Sequence, residues 1–390
     1  MLAGRNGADP VPRRCPGHYA RTVHPKPAVV ATASLLLLAL TGCVGLADDA
    51  ATTPTPTVAP ETSAPAPTLL TCDDLASADL VATTLEGADG VAAQPVPAVN
   101  DYDAFDGVLL EGAGGLPCSW RVGSGMPEYN TPSDWAYLRI DVLPGAAGQW
   151  VPLSAGDAPS TDTRTIEGIE ASVSGGDRGW SVSAPVGDSW VVLSISAAGL
   201  TGAGSRFSGL GGDVMIDRLA DVAGPAFTAV QQASPEQLAW PAVELRQTDA
   251  VCNGGLDEQG ILAAEQVPAD ASVEYETLDP TTEAPAYFSD AVRAAARTFT
   301  CDLWVDALPL VTITTARGFS PLFDRLRAPD GDVGFAPFDL ADAPADAAAV
   351  VAVTDDGPSS PAYLSIGGTL YEIQGDGAQA VAQAIVAQTY

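Results

Sequence analysis

The side chains that most often do chemistry are scarce in this chain. His18 and His24 are its only histidines and Lys26 its only lysine. Beyond residue 26, Ser-His-Asp and Cys-His nucleophiles, histidine-ligated zinc or iron, Schiff-base chemistry and Walker-type phosphate binding therefore have no residues to work with. Carboxylates are abundant, with 49 Asp plus Glu against 17 Lys plus Arg and a formal net charge of −32. A glycosidase-type acid pair needs only two carboxyls, but among so many an apparent pair carries no signal. Asp101, Asp103 and Asp106 with Gly107 supply the alternating oxygens of a calcium loop. Phe105, however, stands where a third alternate ligand belongs, and Gly112 where a bidentate Glu would close twelve residues. Asp330-Gly331-Asp332 has the composition of a turn. No catalytic residue, metal site or cofactor is expected.

Leu40-Thr41-Gly42-Cys43 ends an apolar run from Ala31 to Leu40 and follows a basic stretch containing Arg13, Arg14, Arg21 and Lys26. The four residues resemble a bacterial lipobox, in which an aliphatic and two small residues precede a cysteine that receives a thioether-linked diacylglycerol. The resemblance implies that residues 1–42 are a lipoprotein signal peptide, that cleavage falls between Gly42 and Cys43, and that Cys43 is lipidated. The protein would then sit on the extracytoplasmic face of the cell membrane, held by its N-terminal lipid. The apolar core is short for a span, and each buried methylene of the acyl chains contributes roughly 0.8 kcal/mol. An uncleaved signal anchor is the competing expectation, because no charge lies between Pro27 and Ala47. After Cys43 the chain has twelve arginines, no lysine and 48 acidic residues. Such a surface repels polyanions, so nucleic acid and anionic headgroups are poor partners.

With Cys15 in the leader, four cysteines remain: Cys72, Cys118, Cys252 and Cys301. In an exported chain these should be oxidised, and three connectivities are possible. Internal similarity selects one of them. Cys72-Asp-Asp-Leu75 opens a helix-like stretch, and Cys118-Ser-Trp120-Arg-Val122 follows 46 residues later. Cys252, with Leu256 close behind, opens another, and Cys301-Asp-Leu-Trp304-Val305 follows after 49. The pairs expected are Cys72–Cys118 and Cys252–Cys301. Four thiolates on zinc are the rival, but no Cys-x-x-Cys knuckle exists. This cysteine framework resembles small actinobacterial cell-envelope lipoprotein domains of unknown function, with a one-residue departure at Trp304. Dominance of Ala, Gly and Pro fits the same high-GC source. The resemblance implies location and fold and brings no catalytic residues.

The elements that must position these groups fall in two copies. Ala47 to Leu70, rich in Thr, Pro and Ala, is expected to be a tether reaching on the order of 70 Å. In the first copy the patterns predict a helix over Asp74–Leu85. Strands are expected at Cys118–Val122, Trp135–Leu143, Thr165–Val173, Gly179–Ala184 and Ser189–Ser196, and a helix over Asp213–Gln231. In the second they predict helices at Glu258–Glu265, Ser289–Thr298 and Gly377–Gln388. Its strands are expected at Cys301–Val305, Leu310–Arg317, Ala348–Val353, Ala362–Ile366 and Thr369–Gln374. The fold class expected is α+β, two tandem similar domains each made of an antiparallel sheet packed against helices. The boundaries are 43–71 for the tether, 72–232 for the first domain, 233–250 for a linker containing Pro235 and Pro241, and 251–390 for the second domain. Asn100–Glu111 and Thr277–Ala286 are expected to be mobile loops. Trp120 and Trp304 should pack on the disulfides. Trp135, Trp150, Trp180 and Trp190 are expected in the core, with a ligand-facing platform as the alternative.

These features favour a non-catalytic protein of the cell envelope that binds another protein or a glycan. A carrier of a small apolar or amphipathic ligand in a pocket between sheet and helix comes second. A carboxylate-based hydrolase of wall glycan comes third.

Overall fold

The computed structural model describes residues 68–90, 93–97, 104–123, 133–155, 158–176, 179–245, 256–279, 284–327, 335–352 and 361–389, all within one compact unit. The leader, Gly42, Cys43 and Cys252 lie outside the described residues, as do Asp101, Asp103 and Asp330–Asp332.

The first half runs α1 (Cys72–Leu75), α2 (Ala78–Thr84), β1 (Val96–Pro97), α3 (Ala104–Gly112), β2 (Leu116–Val122) and β3 (Ala136–Leu143). A small hairpin follows, β4 (Ser154–Ala155) and β5 (Ala158–Pro159). Then come β6 (Thr163–Ile166), β7 (Ile169–Gly176), β8 (Gly179–Val186), β9 (Ser189–Ala197) and the long α4 (Gly212–Gln232). The second half runs α5 (Glu258–Ala264), β10 (Val273–Leu278), α6 (Phe288–Ala296), β11 (Phe299–Val305), β12 (Leu308–Arg317) and α7 (Phe323–Arg327). It ends with β13 (Phe335–Pro337), β14 (Ala348–Ala352), β15 (Ala362–Ile366), β16 (Thr369–Gly375) and α8 (Ala378–Thr389). Each half builds one seven-stranded antiparallel sheet. The orders, β1-β2-β3-β9-β8-β7-β6 and β10-β11-β12-β16-β15-β14-β13, are the same when the halves are superposed element by element. The fold is α+β with two similar sheet-and-helix halves.

Period-two alternation gives each sheet two buried faces. On one face of the first sheet, Leu138, Ile140, Val182 and Leu193 pack under the apolar stripe Met215, Leu219, Val222 and Phe227 of α4, with Leu75 and Val81 beside it. On the second sheet, Ile313, Leu364 and Ile373 meet Val381 and Ile385 of α8 and Ile261 of α5. The opposite faces turn toward each other across α3 and α6. There Phe105, Val108, Leu109, Leu143 and Trp190 of the first half share one cluster with Ala291, Val292, Phe319, Tyr363 and Leu370 of the second.

The contact is reciprocal. Phe105, in the first turn of α3, stacks on Tyr363 of the second sheet with ring centroids 5.9 Å apart. Phe288, in the first turn of α6, meets Trp190 of the first sheet edge-on at 5.4 Å. Both phenylalanines stand thirteen residues before their half's second cysteine. At the other end of α3, an added Cβ on Gly112 would fall 2.2 Å from the Phe319 ring, so glycine is what lets the second half close on this helix. Arg325 of α7 reaches Glu111 of α3 at 2.8 Å.

Cys72 and Cys118 form a disulfide with Cα atoms 5.5 Å apart, tying α1 to β2. Cys301 is also disulfide-bonded. Trp120 packs with Cys118 in the first core, as expected. Trp304 does not take the same place, because a register shift between Leu303 and Trp304 puts Leu303 in the core beside Cys301 and leaves Trp304 half-buried.

Other elements depart from the sequence patterns. Asp74–Leu85 is broken, since α1 ends at Leu75 and Ser77 begins α2 by accepting from the Leu80 N–H at 3.4 Å. Ala104–Gly112, expected in a loop, is a helix with seven buried residues. Its two glycines weaken intrinsic helix propensity, and tertiary burial on both sides outweighs that loss. Thr277 and Leu278 end β10 rather than a loop. The connector after α4 is strapped down: the Leu70 N–H donates to Gln237 O at 3.0 Å, Trp240 Nε1 donates to Leu70 O at 2.8 Å, and the Val243 N–H donates to Gly112 O at 2.9 Å.

Phe105→Ala should destabilise the protein by about 3–5 kcal/mol, and because the cluster is shared, both halves should unfold together. Denaturant melts followed by far-ultraviolet dichroism and tryptophan fluorescence test this, and two separated transitions would contradict it.

Candidate functional site

Among the described residues, no group of three His, Cys, Asp or Glu could share a metal ion, and no helix is long and apolar enough to cross a membrane. Asp106 of the expected loop sits on α3, with its carboxylate 3.6 Å from the Arg293 guanidinium of α6. The Cys72–Cys118 bridge belongs to the first core and lines no cleft described below.

The first of these clefts, about 820 Å³, opens where the ends of β6, β7 and β8 meet the start of α4. Strand alternation presents Thr161, Thr163 and Ser174, and Asp162 and Asp213 bring exposed carboxylates to its rim. Arg164, on β6, is engaged by Asp217 of α4. Trp180 forms part of the floor and is only 5 % exposed, its ring edge-on to Phe207 at 6.1 Å. Its indole N–H has no partner in the protein, yet it is not sealed from solvent. Gly175 and Gly212 flank it: a Cβ on the first would lie 3.5 Å from Nε1, and on the second 3.7 Å. Two other indoles of the first half are engaged. Trp190 and Trp150 both donate to the Ser183 hydroxyl, at 2.9 and 3.1 Å, and Trp135 is fully buried against Tyr137. Core packing therefore accounts for Trp135, Trp180 and Trp190, whereas Trp150 is half-buried; Trp180 joins the core while also offering a polar atom to a cleft.

A second cleft, about 660 Å³, lies at the junction of the halves between the turn after β3 and α6. Leu143, Trp150, Val151, Pro285, Ala291 and Ala295 make it mainly apolar.

A charged pair is buried between the sheets. Asp141 on β3 is 5 % exposed and pairs with Arg139 Nε at 2.6 Å. Burial raises its pKa above the usual carboxylate value. Arg139 opposes that rise, and the nearby Asp106 charge adds to it. Glu265 is raised as well, first by burial and then by Asp376.

A carboxyl whose pKa is higher folded than unfolded takes up its proton earlier in the folded state, so stability increases as pH falls through that raised value toward the unfolded one. The melting temperature should rise as pH falls from neutral toward the carboxylate range, in the same sense as general repulsion among excess carboxylates. Asp141→Asn should make the dependence shallower. Thermal melts across this window check both, and a melting temperature that falls on acidification would refute the account.

Comparison of the chain with protein-family models, with curated proteins and with solved structures finds no match.

Proposed function

We propose that the protein is a lipid-anchored component of the cell envelope, on the extracytoplasmic face of the membrane, whose folded body binds a partner rather than transforming it. Leu40-Thr41-Gly42-Cys43 after the apolar run carries the anchoring. Binding in place of catalysis is supported by where the carboxyls lie. A glycosidase acid is held protonated by a low-polarity site at the reacting bond, whereas Asp141 and Glu265, the carboxyls that burial raises among the described residues, line neither of the two clefts above. The cleft carboxylates Asp162 and Asp213 are exposed. The acidic surface favours a neutral or cationic envelope partner, a protein or a glycan. Carriage of a small apolar ligand is the second reading, and the apolar cleft at the junction is the observation that favours it.

Fractionation of cells expressing Cys43→Ser tests the anchoring. The variant should accumulate unprocessed or leave the membrane fraction. Retention in the membrane at unchanged size would instead support an uncleaved anchor.

A further inference from the structure

We propose that the cleft between β6–β8 and the start of α4 is a binding site for an uncharged oligosaccharide. This deepens the binding function proposed above and rests on it. Its volume, about 820 Å³, lies within the range of ligand pockets, about 300–1,000 Å³, and its chemistry restricts the occupant further. Trp180 contributes an N–H that no described group accepts, at the open edge of a side chain otherwise buried. Water meets that donor when nothing else does, and a ligand acceptor at the cleft floor would take the water's place. The start of α4 adds further donors. Gly211 caps the 21-residue helix with no side-chain hydrogen bond, leaving the first-turn amides of Gly212 and Asp213 directed outward.

These donors disfavour a cation. The Asp162 and Asp213 carboxylates at the same rim, on a chain of net charge −32, disfavour an anion, and Arg164 offers no free charge because Asp217 engages it. The hydroxyls of Thr161 and Thr163 and the exposed carboxylates disfavour an apolar ligand. What remains is a ligand whose groups both donate and accept without net charge. Sugar hydroxyls do this, accepting from Trp180 Nε1 and the α4 amides while donating to Asp162 and Asp213. Gly175 and Gly212 keep the indole open, because a side chain at either would stand over Nε1.

The test is calorimetric titration of the detergent-solubilised full chain with uncharged hexose, pentose and N-acetylhexosamine trisaccharides, their sulfated and amino-sugar counterparts, and a neutral random peptide pool. At least one uncharged trisaccharide should bind, with an affinity that changes little between low and high salt. Gly212→Gln places a longer side chain beside the indole and should weaken binding roughly tenfold or more with an unaltered melting temperature. Trp180→Phe, which keeps a ring but removes the donor, should weaken it too. The proposal is overturned if no uncharged trisaccharide binds at millimolar concentration, if only charged sugars or peptides bind, or if Gly212→Gln binds as the parent does. Mass spectrometry of the sugar after incubation separates the two proposals. Cleaved sugar refutes the non-catalytic function while leaving the site standing, and intact unbound sugar alongside a membrane-released Cys43→Ser refutes only the site.

Discussion

The exchange of phenylalanines across the middle of the molecule is the interaction on which the rest depends. Phe105 leaves its own half to stack on Tyr363, and Phe288 leaves its half to meet Trp190. Each sheet thereby gains cover for the face that its C-terminal helix cannot reach. Without it, Leu143 and Trp190 on one sheet and Ala316 and Leu370 on the other would meet water, an apolar area far too large for an isolated half to leave open. The arrangement has the logic of a two-fold dimer interface written into a single chain, in which equivalent surfaces meet and each supplies what the other lacks. The same burial explains the polar chemistry at the junction. The Arg139–Asp141 pair and the Thr300–Thr314 hydroxyl pair at 3.1 Å partner groups that the closure removes from solvent, although Asp141 Oδ1 still finds no hydrogen bond, and Asp106 meets Arg293 at the half-exposed edge of the junction.

The halves keep the same strand order but differ where a ligand could enter. From β16 to α8 only residues 376 and 377 intervene, whereas residues 198–211 separate β9 from α4. That longer passage carries Leu200 and Thr201 to the wall of the cleft and sets the start of α4 beside Trp180. A cleft of this shape at one junction is what unequal connections on a repeated scaffold produce, since connections vary more readily than the packed elements they join.

Much of this was legible in the sequence because its signals are local. Alternating apolar residues located the central strands, the 3.6-residue stripe from Met215 to Val230 located α4, and the spacing of Cys72 and Cys118 named a bridge that the fold contains. α3 was not legible. Its residues Ala104 to Gly112 are apolar on nearly every side and include two glycines, so no amphipathic period exists, and Asn100 to Glu111 reads as an interruption between the opening helix and the Cys118 strand. Only the arrival of a second sheet on its outer face makes it a helix. Trp304 misled for a related reason, because the one-residue shift in β11 that turns it away from Cys301 depends on pairing with β12. The cleft could not be read at all. Thr161, Trp180 and Gly212 are distant in sequence, and nothing in an isolated Trp says that its nitrogen will lack a partner.

The clamp at Leu70 also sets how the fold bears load. The main chain of Leu70 is gripped from both sides by the connector, at Gln237 and Trp240, and two residues later the backbone reaches the Cys72–Cys118 bridge. Tension entering from the N-terminal side must first pull apart that hydrogen-bonded grip. It then passes through the sulfur–sulfur bond directly into β2, a strand inside the first sheet. The residues between the two cysteines, including α2 and α3, lie in a covalent shunt and are never stretched. On the anchoring proposed above, a pull on the N-terminal end would thus keep α3, the helix that joins the two halves, slack while the sheet takes the strain.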